Sequence, residues 1–188
     1  TVTNGSLAVN VNSGTASVAD INIINSDSAT GIVTATATET AAATLIGLTT
    51  TDTDAITVTM AAASTAAADL NTIDGKTSVT VGATAITELT GNATDVKTAL
   101  ASSGITTVTN GSLAVNVNSG TASVADINTI NADSATGIVT ATATETAAAT
   151  LIGLTTTGTD AITVTMAAAS TAAADLNTID GKTSVTVG

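Results

Sequence analysis

AITVTMAAASTAAADLNTIDGKT, residues 55–77, is the stretch that decides the fold. Ile56, Val58 and Met60 alternate with Thr57 and Thr59, the period-two pattern of a strand with one face buried and the other in water. Ser64 and Thr65 then open an Ala-rich run in which Ala66, Leu70 and Ile73 fall at helical spacing, so a short helix is expected after the strand. Asp74-Gly75 ends it. About ten helical residues and about five strand residues cover similar lengths, roughly 15–17 Å, so the two can lie antiparallel as one closed coil.

Working outward, residues 1–82 recur as 107–188, a shift of 106, with three differences: Ile23 becomes Thr129, Ser26 becomes Ala132 and Asp52 becomes Gly158. Self-similarity at a fixed period marks a repeat architecture. A degenerate shorter repeat lies inside the long one. The strand anchors Ile32, Ile56, Val79, Ile105 and Ile138 are spaced by 24, 23, 26 and 33 residues. Each is followed by a helix-like run, from Thr40, Ser64, Asn92 and Thr121. The apolar pairs Leu45/Leu48, Leu70/Ile73, Val96/Leu100 and Ile127/Ile130 are three or four apart, as one helix face requires.

These patterns predict an α/β repeat: a right-handed solenoid with one strand and one short helix per 23–33-residue coil, its parallel sheet backed by a helix layer. Residues 1–106 form the first block of four coils and 107–188 a second, truncated block, one continuous solenoid excerpted from a longer chain. Strands stack about 4.8 Å apart while helices prefer about 8–10 Å, so gentle curvature is expected. An Asn-Gly pair between alternating segments is a strong hairpin signal, and Asn4-Gly5 and Asn110-Gly111 predict a β-hairpin insertion recurring once per long period. GATAITELTG, residues 82–91, is open to two readings, a loop or a second short strand.

Composition narrows the function. The chain has no Phe, Tyr, Trp, Cys, His, Pro or Arg, so Ala, Val, Ile and Leu supply the core, and small side chains fill space only where backbones approach closely and regularly. Fifteen carboxylates against three lysines give a net charge of −12, which argues against nucleic acid and anionic membranes as partners. No apolar run approaches the roughly 20 residues of a membrane span. Without His or Cys, a Ser–His or Cys–His nucleophile is impossible, no phosphate loop matches, and the chain reads as a non-enzyme without a cofactor.

Asp20, Asp69 and Asp95 precede the first large apolar residue of three helical runs, and Ser17 and Asn92 stand three residues before two of them. Helix capping explains that column. Calcium needs only oxygen ligands, so weak calcium candidates remain at the turns: Asp52 and Asp54 in Thr51-Asp52-Thr53-Asp54, with Asp27 and Asp74. Lys76, beside Asp74-Gly75, reads as a solvated cation near a helix C-terminus. Outward threonines, Thr34, Thr36 and Thr38, then Thr57 and Thr59, then Thr107 and Thr109, offer an ice-binding alternative, set against the plain strand propensity of Thr. Asn4-Gly5-Ser6 and Asn92-Ala93-Thr94 fit the glycosylation sequon.

The aromatic-free, nearly identical Thr/Ala/Val/Asp-rich blocks, with phrases such as ADLNTIDGKTSVTVGATAITELTGNATDV, resemble the giant repetitive surface proteins of aquatic bacteria, including cyanobacteria. The resemblance implies export to the extracellular space or cell surface, and a role as adhesin, surface layer or fibre. The expectation is therefore a structural module of an extracellular filament, stalk or surface layer that associates end-to-end with further copies of the repeat. An adhesin spacer is the alternative.

Overall fold

The computed structural model describes residues 6–12, 14–107, 113–134 and 137–188. Strands and helices alternate along it. The strands are β1 (Val9–Asn10), β2 (Val33–Thr36), β3 (Ala55–Thr57), β4 (Ser64–Ala66), β5 (Val81–Gly82), β6 (Glu88–Gly91), β7 (Ile105–Thr106), β8 (Ala114–Val117), β9 (Val139–Thr142) and β10 (Ala161–Thr163). The helices are α1 (Val18–Ser28), α2 (Ala42–Leu45), α3 (Ala67–Asp74), α4 (Ala93–Ala101), α5 (Val124–Asp133), α6 (Ala148–Leu151) and α7 (Ala173–Asp180).

The protein is α/β with parallel sheets. The sheet orders are β1-β2-β3, β10-β9-β8-β6-β4 and β5-β7, and every strand pair among the described residues is parallel. The register is regular: Val9 lies beside Val33, Thr34 beside Ala55, Val81 beside Ile105, Leu89 beside Val115 and Val115 beside Val139. Each of these pairs joins strands that are 21, 24 or 26 residues apart in the chain. The five-stranded sheet crosses from the first sequence copy into the second without a break, through β6 and β8.

Alternation decides which strand residues enter the core. Ile56, Val58 and Met60 are buried, while Thr57 and Thr59 are exposed. Helical spacing does the same on the other side. Leu70 and Ile73 of α3, Val96 and Ala99 of α4, and Ile127 and Ile130 of α5 are buried. α3 packs on α4 and α4 on α5, so the core lies between a helix layer and the strands. Close approach also needs glycine: a Cβ on Gly31 would lie 2.0 Å from the carbonyl oxygen of Leu7, and one on Gly137 1.8 Å from that of Leu113.

Several sequence expectations need correction. Two strands, not one, precede some helices: β3 and β4 before α3, and β5 and β6 before α4. Ser64 and Thr65, expected to open a helix, pair instead with Glu88 and Leu89, so α3 starts at Ala67 and has no side-chain cap. Ile32 and Ile138 are about half exposed (50% and 52%), and Val33 and Val139 are the buried residues. The reason is parity: Ile32 shares the outward phase of Thr34 and Thr36. Val79 likewise yields to Val81 as the buried residue. The run from Thr40 shrinks to the four-residue α2, which lacks a side-chain cap and meets Gly47 at once. The 82–91 segment resolves as a turn followed by strand β6.

The turns of the expected hairpins, Asn4-Gly5 and Asn110-Gly111, lie outside the described residues. The described flanks of Asn110-Gly111 do not pair with each other: β7 joins β5, whereas β8 joins β6 and β9, all in parallel.

Candidate functional site

The polar side chains that the fold organises sit where one repeat unit meets the next. Asp54 is the best placed. It is buried at the start of β3, and its Oδ1 accepts from the backbone N–H of Val33 at 2.8 Å, while its Oδ2 accepts from that of Thr51 at 2.9 Å. One unit further on, the buried Thr77 hydroxyl accepts from the backbone N–H of Ile56 at 2.9 Å and donates to the Ile56 carbonyl at 2.7 Å. Thr50 donates to the Lys76 carbonyl at 2.7 Å. The second copy repeats the arrangement through Asp160, Thr183 and Thr156. These contacts satisfy backbone groups at strand entries that would otherwise be buried without partners, each at a cost of roughly 1–3 kcal/mol.

Helix starts are tied in the same way. Ser17 Oγ accepts from the Asp20 N–H at 3.1 Å and donates to the Asp20 carboxylate at 2.7 Å. Glu39, from the following unit, accepts from the Val18 N–H at 3.0 Å, placing a second negative group at the positive end of α1. Asn92 caps α4 through the Asp95 N–H at 2.9 Å, and its amide donates to the Asp95 carboxylate at 2.6 Å. The sequon asparagine Asn92 is therefore engaged at both amide atoms; the other, Asn4, lies outside the described residues.

A third set bridges neighbouring helical layers. Asn22 donates to the Gly47 carbonyl at 2.8 Å and accepts from the Thr49 N–H at 2.9 Å, and Asn128 does the same with Gly153 and Thr155 at 2.8 Å each. Asn71 donates to the Asp95 carbonyl at 3.0 Å. Sequence reasoning missed Glu39, Thr77 and these asparagines. A signal for the last was present: Ala-Asp-Ile/Leu-Asn recurs at residues 19–22, 68–71, 125–128 and 174–177.

The calcium candidates are not gathered. Asp54 spends both oxygens on backbone donors, and Asp52, in the same turn, points to solvent, as does Asp27 on α1. Asp74 is half-buried and accepts from the Ser102 hydroxyl at 2.8 Å. Among the described residues no three carboxylates converge. Lys97 of α4 forms an ion pair with Asp126 of α5. Its ammonium hydrogen bond, helped by Ser123, holds the Asp126 carboxyl below the usual 3.8.

Shallow clefts exist at Thr40–Ala43 with Met60–Ala66 and Asp69, and again at the matching residues 146–149 and 167–175 of the second copy. They are walled mostly by alanine and threonine, with one serine and one carboxylate each, Ser64 and Asp69 in the first and Ser170 and Asp175 in the second; the Ser64 hydroxyl donates to the Glu88 carboxylate at 2.7 Å. No helix among the described residues is long and apolar enough to cross a membrane. No known protein family, curated protein or solved structure matches the chain.

Proposed function

We propose that this chain is a structural repeat module of an extracellular filament, stalk or surface layer, built as a right-handed α/β solenoid and without enzymatic activity. The observation that carries the reading is the register. Strands pair in parallel with strands further along the chain, and the five-stranded sheet runs through the junction between the two blocks, at β6 and β8. A chain built this way lengthens by adding like units, each burying its faces against its neighbours. The right hand is the one that parallel strand–helix–strand connections adopt almost without exception.

The pattern of divergence supports a mechanical role. All three differences between copies, at positions 23/129, 26/132 and 52/158, fall on exposed residues, while every inward-facing residue is kept. The polar groups described above hold unit to unit rather than converging on a ligand. Contacts between modules are end-to-end, because the long period carries nine carboxylates against two lysines and side-by-side packing must overcome that repulsion. The ice-binding alternative loses its lattice early: Thr36 lies beside Thr57, but Thr59 lies beside Gly82.

Electron micrographs of the full-length product test the assignment. Extended filaments or a regular surface layer are expected. Isolated rods carrying a globular head contradict it and favour the adhesin spacer.

A further inference from the structure

The same sequence occupies different places in the sheets of the two blocks. β1, β2 and β3 pair in that order, and their ladder runs on to β5 and β7 where Thr59 lies beside Gly82, the Gly82 N–H donating to the Val58 carbonyl at 3.0 Å. Their copies, 106 residues further on, are β8, β9 and β10. These also pair in order, but they continue a different ladder, the one that already holds β4 and β6. The onward link recurs in that second ladder, with the Gly188 N–H donating to the Val164 carbonyl at 3.2 Å.

Between Ala55 and Val117 consecutive strands alternate between the ladders: β3, β5 and β7 belong to the first, β4, β6 and β8 to the second. Each coil in this stretch carries one strand of each, with a corner between them. From β5 to β6 the corner is a turn in which the Ile86 N–H donates to the Ala83 carbonyl at 3.3 Å, with Thr84 and Ala85 exposed. Val81 of the first ladder and Leu89 of the second are both buried in the core, so the ladders are two sides of one coil. Helix α4, packed on α3 and α5, is the third side.

We infer that successive 106-residue blocks are related by a rotation about the stacking axis as well as a rise, the rotation being the angle between the two ladders. The operation that carries β1, β2 and β3 onto β8, β9 and β10 carries the first side of the coil onto the second. The outward threonines turn with it: Thr36 lies beside Thr57 on the first ladder, and their copies Thr142 and Thr163 lie side by side on the second. Applied again, the operation turns the face again, so an array of blocks is a twisted rod that shows the same threonine face in a new direction at each period. The hand-over is lapped. Where the second ladder begins the first is still in place, and the layers from β4 to β7 are tied by backbone hydrogen bonds on two sides. Such a rod has no flat side along which equivalent rows align, which suits a filament or stalk rather than a flat surface layer. This inference rests on the solenoid reading and narrows it.

Distances between spin labels in the dilute 188-residue chain test the rotation. The sequence has no cysteine, and Thr44 of α2 and Thr57 of β3, with their copies Thr150 of α6 and Thr163 of β10, are exposed. Paired Thr→Cys variants give the six distances among these four positions. If the second block were only shifted from the first, the four labels would form a parallelogram, and the squared diagonals, 44–163 and 57–150, would sum to the squares of the four sides. With a rotation the diagonals should fall short of that sum, by roughly a tenth or more for a coil about 10 Å thick, while 44–57 equals 150–163. Diagonals that close the parallelogram overturn the rotation, as do unequal 44–57 and 150–163 distances, which would mean that the blocks are not copies of one structure. These distances are read in the monomer, so failure of the filament assignment in micrographs leaves them untouched and the two failures are distinguishable.

Discussion

The Asp54 carboxylate joins two repeat units: one oxygen takes the Val33 backbone N–H at 2.8 Å and the other takes the Thr51 N–H at 2.9 Å. Asp160 does the same for Val139 and Thr157. An aspartate that looks like a turn ligand in the sequence is thus a buried acceptor for strand β2. Asp54→Ala leaves two amides without partners and should cost about 2–4 kcal/mol. Asp52→Gly, the change already present at position 158, should cost less than about 0.5 kcal/mol. Urea unfolding of the two variants checks the contrast; equal losses would refute the assignment.

Identical leucines provide a second contrast. Leu70 is fully buried and Leu176 is 39% exposed. Leu70→Ala should lose about 2–5 kcal/mol through lost burial and the cavity left behind, and Leu176→Ala about 1 kcal/mol or less. Thermal unfolding of each single variant reads the difference directly.

The Lys97–Asp126 pair sets a pH dependence. Hydrogen bonding to Lys97, then to Ser123, lowers the folded Asp126 carboxyl below 3.8. A depressed carboxylate stabilises the fold above its unfolded value and loses that contribution as pH falls through the folded one. Each partner is a third exposed, so the contribution is small, about 0.5 kcal/mol, and screened by salt. The stability gap between the natural chain and Lys97→Met should therefore be present at pH 7 in low salt, shrink below about pH 4, and shrink in high salt. A gap that is unchanged at acid pH contradicts it.

Filaments of the kind proposed above should survive calcium chelation as single strands, with chelator and salt changing lateral bundling instead. The reason is that Asp54 and Asp74 already have hydrogen-bond donors and Asp27 and Asp52 stand apart on the surface. Negative-stain micrographs before and after chelator check this. Filaments that fall apart on calcium removal alone would make the turn carboxylates bridging ligands.

Legibility in the sequence followed periodicity. Ile56, Val58 and Met60 announced their face through a clean alternation, and Ser17 and Asn92 announced helix starts through capping chemistry, which the structure places at 3.1 and 2.9 Å. Ile32 misled because a large β-branched residue suits an outward strand position as well as an inward one, and Val33, Ala35 and Ala37 carry the weaker-looking inward phase. Ser64-Thr65 suits a helix cap or a strand equally well, and the choice is made by Glu88 and Leu89, 24 residues away. Long-range pairing leaves no local trace. Thr77 and Glu39 were invisible for the same reason: each serves a backbone group 21 residues distant.

The central claim is that the fold extends by repetition, and small-angle X-ray scattering of monomeric chains with increasing numbers of complete 106-residue periods tests it most directly. Four stacked layers per period should add a constant increment to the maximum dimension, between roughly 20 Å, set by strand spacing, and roughly 40 Å, set by helix spacing. A radius of gyration that instead rises only as about the 0.38 power of chain length, the scaling of a compact globule, would contradict the account.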